Sequence, residues 1–329
     1  MRGNRFLGLL GIMLLIESCS YTTTISIETL EPPTNIYLDL RKPITVNYTF
    51  VPSNNMHDII GHKNDIDSIA ADAAAYVMAY SMKQNALLTQ TNVITTQIQR
   101  NDSLASSGYN LAETELNNTI WKTKGDILLS LDYFSLNPEV LAFPSYNGGY
   151  SAFINMNVVA LWRVYSAVNK KAIAEYLFKN EYSWDAVGES RTAAINNLPK
   201  INEVATWIGT DCGKSSAKAF VPFWTNVTRD IYVNPIATWR QAETYIKMGD
   251  WNSAVKIWSW QVGDNKNIKK QWQAAYNLAV ASEVHNDLML ALNWLDAADS
   301  FISGTPEVKA YRETLQLRLK SQKILESFK

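Results

Sequence analysis

A pattern that returns 37 residues further along the chain sets the tightest limit on its fold. GDWNSAVKIWSWQ occupies residues 249–261, and NDLMLALNWLDAA occupies residues 286–298. Each copy opens with a small turn residue (Gly249, Asn286), an Asp (Asp250, Asp287) and a large apolar residue (Trp251, Leu288). An Ala follows three positions on (Ala254, Ala291), and another large apolar residue four beyond that (Trp258, Leu295). This i, i+3, i+7 spacing draws one apolar stripe along a helix. The segments before the two copies correspond as well, Trp239 with Tyr276 and Ala242 with Ala279. A helix-turn-helix unit cannot bury its apolar face alone, so two such units must stack. Thr305-Pro306-Glu307 then begins a last helix, with Thr at the N-cap and Pro in the first turn. Tyr311, Leu315 and Leu319 on it would close the open end of the stack.

From about Ile36 to Pro199 the patterning is mixed. IYLDL and ITVNYTFV alternate and are rich in β-branched and aromatic residues, as strands are. DIDSIAADAAAYVMAYSMKQNALL reads as a helix with Asp65 as N-cap and a stripe of Ile66, Ile69, Ala70, Ala73, Val77 and Tyr80. DILLSLDYFSL reads as a strand, and residues 151–184 as two long strands reversing at Asn169-Lys170-Lys171. Helical patterning resumes at about Asp185 and again over GKSSAKAFVPFW, which Pro222 ends or kinks. Asn234-Pro235 is a turn and marks a boundary. The expected fold class is α+β: an N-terminal mixed domain with a mainly antiparallel sheet, then an all-α domain of helical repeats.

The chain opens MRGNRFLGLLGIMLLIESCSYTT. Arg2 and Arg5 precede an apolar run from Phe6 to Ile16, which is a signal-peptide core too short for a bilayer of about 30 Å. Ile16-Glu17-Ser18-Cys19 resembles a bacterial lipobox, with Glu17 departing from the usual small or aliphatic residue. The resemblance implies lipidation at Cys19. The expected organisation is a signal peptide over 1–18, a tether over 19–35, the α+β domain over 36–233 and the repeats with their capping helix over 234–329. By the sorting rule of Gram-negative lipoproteins, Ser20 after the Cys implies the outer membrane. By analogy with surface lipoproteins, the lack of an acidic run in SYTTT implies that the protein faces the periplasm.

With 47% hydrophobic residues the chain can bury sizeable cores, and a net charge of −1 without a basic run argues against a nucleic-acid groove. HDIIGHKNDID gathers His57, Asp58, His62, Asp65 and Asp67, but the two His are five apart across Gly61 and read as a solvated loop. Cys212 in GTDCGKSS has no His close in sequence and reads as a structural thiol. The adjoining Gly-Lys-Ser is no phosphate loop, because Ile208 stands where such a loop needs Gly. Neither a metal, a cofactor nor a catalytic residue is expected. Of the eleven Trp, eight lie between Trp207 and Trp294; Trp251 and Trp258 hold repeat positions, and Trp260 leaves the stripe as the exposed one.

The order aromatic, small, Gly-Asp-aromatic, Ala, aromatic is similar to the tetratricopeptide repeat, whose period is about 34. The polar linker GDNKNIKK accommodates the three extra residues. A lipobox, then GDILLSLDYFSL and ALWRVYSAVNKKAIAEY, then GKSSAKAFVPFW and the repeats, together resemble an uncharacterised family of Bacteroidota lipoproteins with tetratricopeptide-like C-termini. The strand-turn-strand portion is distantly similar to the periplasmic domain of curli-secretion-type lipoproteins. These features imply a non-catalytic cell-envelope lipoprotein, its α+β domain near the membrane and its repeats binding a protein or peptide partner. The first helix of each unit would line the groove, giving Trp239, Glu243 and Lys247 with Tyr276, Val280 and Glu283. Alternatively Trp239 and Tyr276 pack against the N-terminal domain, which makes the surface an internal interface. A glycan-binding outer-membrane lipoprotein is the second functional reading, and a hydrolase whose site assembles only in three dimensions is the third.

Overall fold

The computed structural model describes residues 21–35, 38, 43–50, 57–59, 62–85, 93–99, 110–146 and 148–328. In chain order the elements are β1 (Tyr21–Glu31), β2 (Ile44–Phe50), β3 (His57–Ile59), β4 (His62–Asn64), α1 (Ile66–Lys83), β5 (Val93–Gln99), α2 (Glu113–Thr123), β6 (Ile127–Pro144), β7 (Tyr150–Ser166) and β8 (Lys171–Gly188). Then come α3 (Arg191–Asn196), α4 (Ile201–Ala217), β9 (Phe223–Val233), α5 (Ala237–Lys247), α6 (Trp251–Asp264), α7 (Ile268–Val284), α8 (Leu288–Phe301) and α9 (Pro306–Glu326). The chain therefore has a mixed sheet domain followed by a run of helices. It divides into a sheet unit, residues 30–224 with 322–329, and a helical unit, residues 1–29 with 225–321.

The sheet unit is built on five strands in the order β5-β2-β6-β7-β8. The long strands β6, β7 and β8 are antiparallel, and β7 and β8 reverse through residues 167–170 as the sequence predicts. Pairing of β2 with both β5 and β6 is parallel, which local pattern could not reveal. One sheet face carries Ile44, Val46, Ile127, Leu129, Trp162 and Val164, buried with α1 and α4 in a single core. The opposite face carries Leu128 and Tyr165, packed with Leu111 and Leu116 at the start of α2.

Asp65 caps α1 as expected, its side chain accepting from Ser68 N. The buried stripe is rotated from the expected one: Ile66, Ala70, Ala74, Met78 and Met82 are inside, while Tyr80 is exposed. The reason is α4. A Cβ built at Gly209 would lie 2.1 Å from the Ala70 carbonyl oxygen, and one at Gly213 would lie 2.4 Å from that of Ala74. Gly209 and Gly213, four apart, therefore bring the two helix backbones together against a face of Ala. Small residues decide this contact, and an assignment weighted to large apolar residues misses it. The Gly-Lys-Ser stretch at 213–215 lies within α4, as part of a helix rather than a phosphate loop.

In the helical unit α5–α6 and α7–α8 are the two repeated helix pairs. Gly249 and Asn286 both adopt positive φ, at +77° and 59°, which ends the first helix of each pair. Asp250 and Asp287 then cap α6 and α8 by accepting from Ser253 N and Leu290 N. Ala254, Ala291, Trp258 and Leu295 are buried between the helices. Pro306 begins α9 as predicted, but the Thr305 hydroxyl makes no hydrogen bond. Tyr311, Leu315 and Leu319 join the core of the stack.

The stretch expected to be a tether contains β1, because TTTISIET alternates and is rich in β-branched residues. It pairs with β9 in a two-stranded sheet, and Ile27 and Ile231 are buried in the core of the helices. Residues 57–59 and 62–64, expected as a loop, form the short antiparallel pair β3-β4. Helix α2 is an addition to the expected elements, and β8 persists to Gly188 beyond the expected helix start at Asp185. The IYLDL strand lies outside the described residues except for Leu38, and so do the signal segment and Cys19.

Candidate functional site

Four of the six residues expected to line a groove on the helical unit are buried. Trp239, Tyr276, Val280 and Glu283 are at most 9% exposed, so they form no open surface. Glu243 and Lys247 are the remaining two, and they pair on α5 at 2.7 Å. Helix α7 is buried from Trp272 through Glu283, on all its faces. Its neighbours α6 and α8 cover two sides, and β9 covers a third. Asn277 Nδ2 donates to the Tyr232 carbonyl at 2.7 Å while its Oδ1 accepts from Tyr232 N at 2.8 Å. The Tyr232 ring stands 5.0 Å from Trp272 and 5.2 Å from Tyr276. The groove is therefore filled by a strand of the same chain.

Glu283 shows how firmly. Arg229 on β9 approaches its carboxylate with two nitrogens, Nε to Oε2 and Nη2 to Oε1, each at 2.8 Å. Arg318 Nη1 on α9 donates to Oε1 at 2.7 Å, and the Tyr311 hydroxyl donates to Oε2. Burial by itself would raise this carboxyl, but hydrogen bonds from Arg229, Tyr311 and Arg318 outweigh it and hold the group below the ordinary Glu range. Burial and the neighbouring carboxylate push the Tyr311 hydroxyl far upward, so it stays a donor. Sequence reasoning found Glu283 but missed Arg229, whose strand FWTNVTRDIYV alternates visibly, and Arg318.

A second polar cluster lies in the sheet unit. A register shift between Leu131 and Tyr133 makes Asp132 an extra residue in β6. Its Oδ2 accepts from the Tyr165 hydroxyl and from Arg163 Nη1 at 3.2 Å. The same Tyr165 oxygen accepts from Leu111 N at 2.9 Å, fastening the approach to α2 onto the sheet. Asn47 Nδ2 donates to Ser130 Oγ at 2.9 Å on the neighbouring strand. Burial raises the Asp132 carboxyl above its ordinary value, against the lowering effect of Ser130, Tyr165 and Arg163.

Cys212 is fully buried, its sulfur 3.8 Å from Ser216 Oγ, and burial pushes its thiol up to about 12. A thiol so protonated is a poor nucleophile. We expect no labelling by a small thiol reagent in the native protein at neutral pH and full labelling in denaturant, counted by mass spectrometry. Among the described residues no group of three or more His, Cys, Asp or Glu is placed to hold a metal, and no helix is long and apolar enough to cross a membrane.

Two exposed features remain. Trp207, 52% exposed, meets Tyr182 and Trp184 edge to face at 89° and 88°, while Tyr182 and Trp184 are tilted by 32°, so the three rings share no common plane of the kind sugar stacking uses. At the far end of the long strands Leu141, Phe143 and Val187 are 41%, 48% and 67% exposed. Leu141 faces Phe153 across β6 and β7, and Phe143 stacks on Phe153 at 5.3 Å. Tyr146, in the turn beyond them, is wholly exposed. Sequence reasoning did not single out this patch, although the alternating VLAFP end of β6 carries its signal.

A family model described as a domain of unknown function (DUF8603) matches residues 41–232. The chain belongs to this family. Downstream of the DUF8603 region, a second domain of unknown function (DUF6340) matches residues 240–319. No curated protein sequence matches the chain. Among solved structures, a provisionally assigned lipoprotein from Caulobacter crescentus CB15 is 10% identical, with a TM-score of 0.25, covering 54% of this chain and 87% of that one. A PelC dodecamer from Paraburkholderia phytofirmans is 12% identical, with a TM-score of 0.20, covering 60% of this chain and 98% of that one.

Proposed function

We propose that the protein is a non-catalytic, lipid-anchored component of the cell envelope that binds a protein partner. The apolar end of the long strands carries the binding part of this reading. Leu141, Phe143, Val187 and Tyr146 stay exposed there, whereas the groove of the repeats is already filled by β9. Exposed apolar clusters on proteins of this size are commonly sites of interaction. Anchoring is supported by the basic start, the apolar run and the lipobox-like Ile16-Glu17-Ser18-Cys19. The tetratricopeptide-like helices then act as a rigid support for the chain rather than as the groove itself. Ser20 after the lipidated Cys favours the outer membrane, facing the periplasm.

Two measurements test the reading. Cys19→Ser should leave the protein as an uncleaved precursor or release it from washed membranes, and a variant still processed and membrane-bound would end the anchoring claim. Leu141→Ser with Phe143→Ser should cost no more than about 1.5 kcal/mol per site, the value of the cross-strand pairs with Phe153, and leave the protein folded. A photo-crosslinker at Phe143 should capture one specific envelope protein, and the Leu141→Ser change should abolish the adduct. A crosslinker at Phe143 that captures nothing in living cells would overturn the proposed surface.

A further inference from the structure

We infer that one end of the helical unit, formed by Ile236, Lys266, Ile268, Lys269 and Lys270, rests on the headgroup layer of the membrane. This rests on lipidation at Cys19 as proposed above. The direction of β9 decides which end is meant. Arg229 of β9 meets Glu283 of α7, and Tyr232 meets Asn277 and Trp272. Three strand residues advance about 10 Å while six helix residues cover about 9 Å, so β9 runs alongside α7 in the opposite sense. Beyond Val233 the chain therefore leaves at the N-terminal end of α7, where Ile236 introduces α5.

Strand β1 returns to the same place. Thr24 Oγ1 donates to Asp230 Oδ1 at 2.6 Å, and with two paired strands of 11 residues this fits an antiparallel register that sets Tyr21 beside Val233. Cys19 precedes Tyr21 by two residues, a reach of about 7 Å even when fully extended. The sequence alone suggests that the α+β domain lies next to the anchor. Because β1 belongs to the helical unit, that unit follows the lipid instead.

The end so placed has the chemistry of a membrane contact. Ile236 and Ile268 are 40% and 56% exposed; Lys266 in the connection and Lys269 and Lys270 in the first turn of α7 follow Asp264, the last residue of α6. Trp260 is 56% exposed one turn before the end of α6. Apolar side chains enter the interfacial layer, and lysine stems let ammonium groups reach phosphates. At the opposite end Met248, Met289 and Leu290 are exposed as well, but the two turns there carry Asp250 and Asp287, and Lys247 is paired with Glu243, so that end lacks the lysine cluster. The length of α7, about 25 Å, separates the two ends.

The acylated full-length protein in phosphatidylglycerol-containing vesicles provides the test. A fluorophore is placed at Ile268→Cys or at Met248→Cys; buried Cys212 and acylated Cys19 leave only the introduced thiol to react. Lipids brominated near the headgroup should quench the label at 268 several-fold more than the label at 248. Lys266→Glu with Lys269→Glu and Lys270→Glu should bring the label at 268 down to the level at 248. Equal quenching at both sites, or stronger quenching at 248, in protein that carries its acyl chain overturns this inference alone. Protein recovered from cells without an acyl chain overturns the anchoring proposal and this inference with it.

Discussion

Glu283→Gln should cost the helical unit about 3–5 kcal/mol, the usual penalty for removing one member of a buried ionic group. The Gln amide keeps the shape but carries no charge. It leaves Arg229 and Arg318, both largely buried, facing each other without a counter-ion, and turns one acceptor oxygen into a donor. The Tyr311 hydroxyl loses its acceptor or shares the remaining one. In thermal unfolding the change should appear as a fall of roughly 10–20 °C for a unit of this size. A shift of less than about 2 °C would mean that the four-donor cluster contributes far less than a buried ion group normally does.

The same residue sets a pH signature. Its folded-state value lies below the ordinary Glu range, so the stability it supplies is present above the unfolded value of 4.5 and is lost as pH falls through the folded value. The native protein should therefore lose stability on acidification below about pH 4.5, and Glu283→Gln should flatten that part of the profile. Asp132 has the opposite sign. Its raised value means that its contribution is complete below 3.8 and declines as pH rises through the folded value.

Gly209→Ala should also destabilise strongly, by about 3 kcal/mol or more, although replacing Gly by Ala in an ordinary helix interior stabilises by up to about 1 kcal/mol. The sign is reversed because the new methyl would sit 2.1 Å from the Ala70 carbonyl oxygen, a rigid backbone atom, so α1 and α4 must move apart. Moving them opens the core shared with Ile44, Val46 and Trp162. Gly263 provides the control. It is helical too, but nothing lies within 4 Å of an added Cβ, so Gly263→Ala should be neutral or stabilising by about 0.5 kcal/mol. Equal melting temperatures for the two variants would refute the close crossing of α1 and α4.

Local signals determined a good part of this fold. The repeated stripe and its Asp caps placed α6 and α8, because helix periodicity and capping are written within a few residues of one another. Asp65 as a cap, the reversal between β7 and β8, and the exposure of Trp260 were legible for the same reason. Helix α2 was hidden because ETELNNTIWKT has almost no apolar stripe and starts from Ala112, which offers no capping side chain. Only the tertiary structure could decide what covers each face. Strands β1 and β9 stand about two hundred positions apart in the chain, and a strand's pattern shows which face it buries without naming its partner. With β9 along α7, Tyr276 and Glu283 are covered by Tyr232 and Arg229, and Trp239 and Val280 are buried in the same core, so the four are core where ligand contacts were expected. Likewise the alanines of α1 face inward only because Gly209 and Gly213 let a second backbone come close, and burial follows the shape of the neighbour as much as the apolarity of the residue.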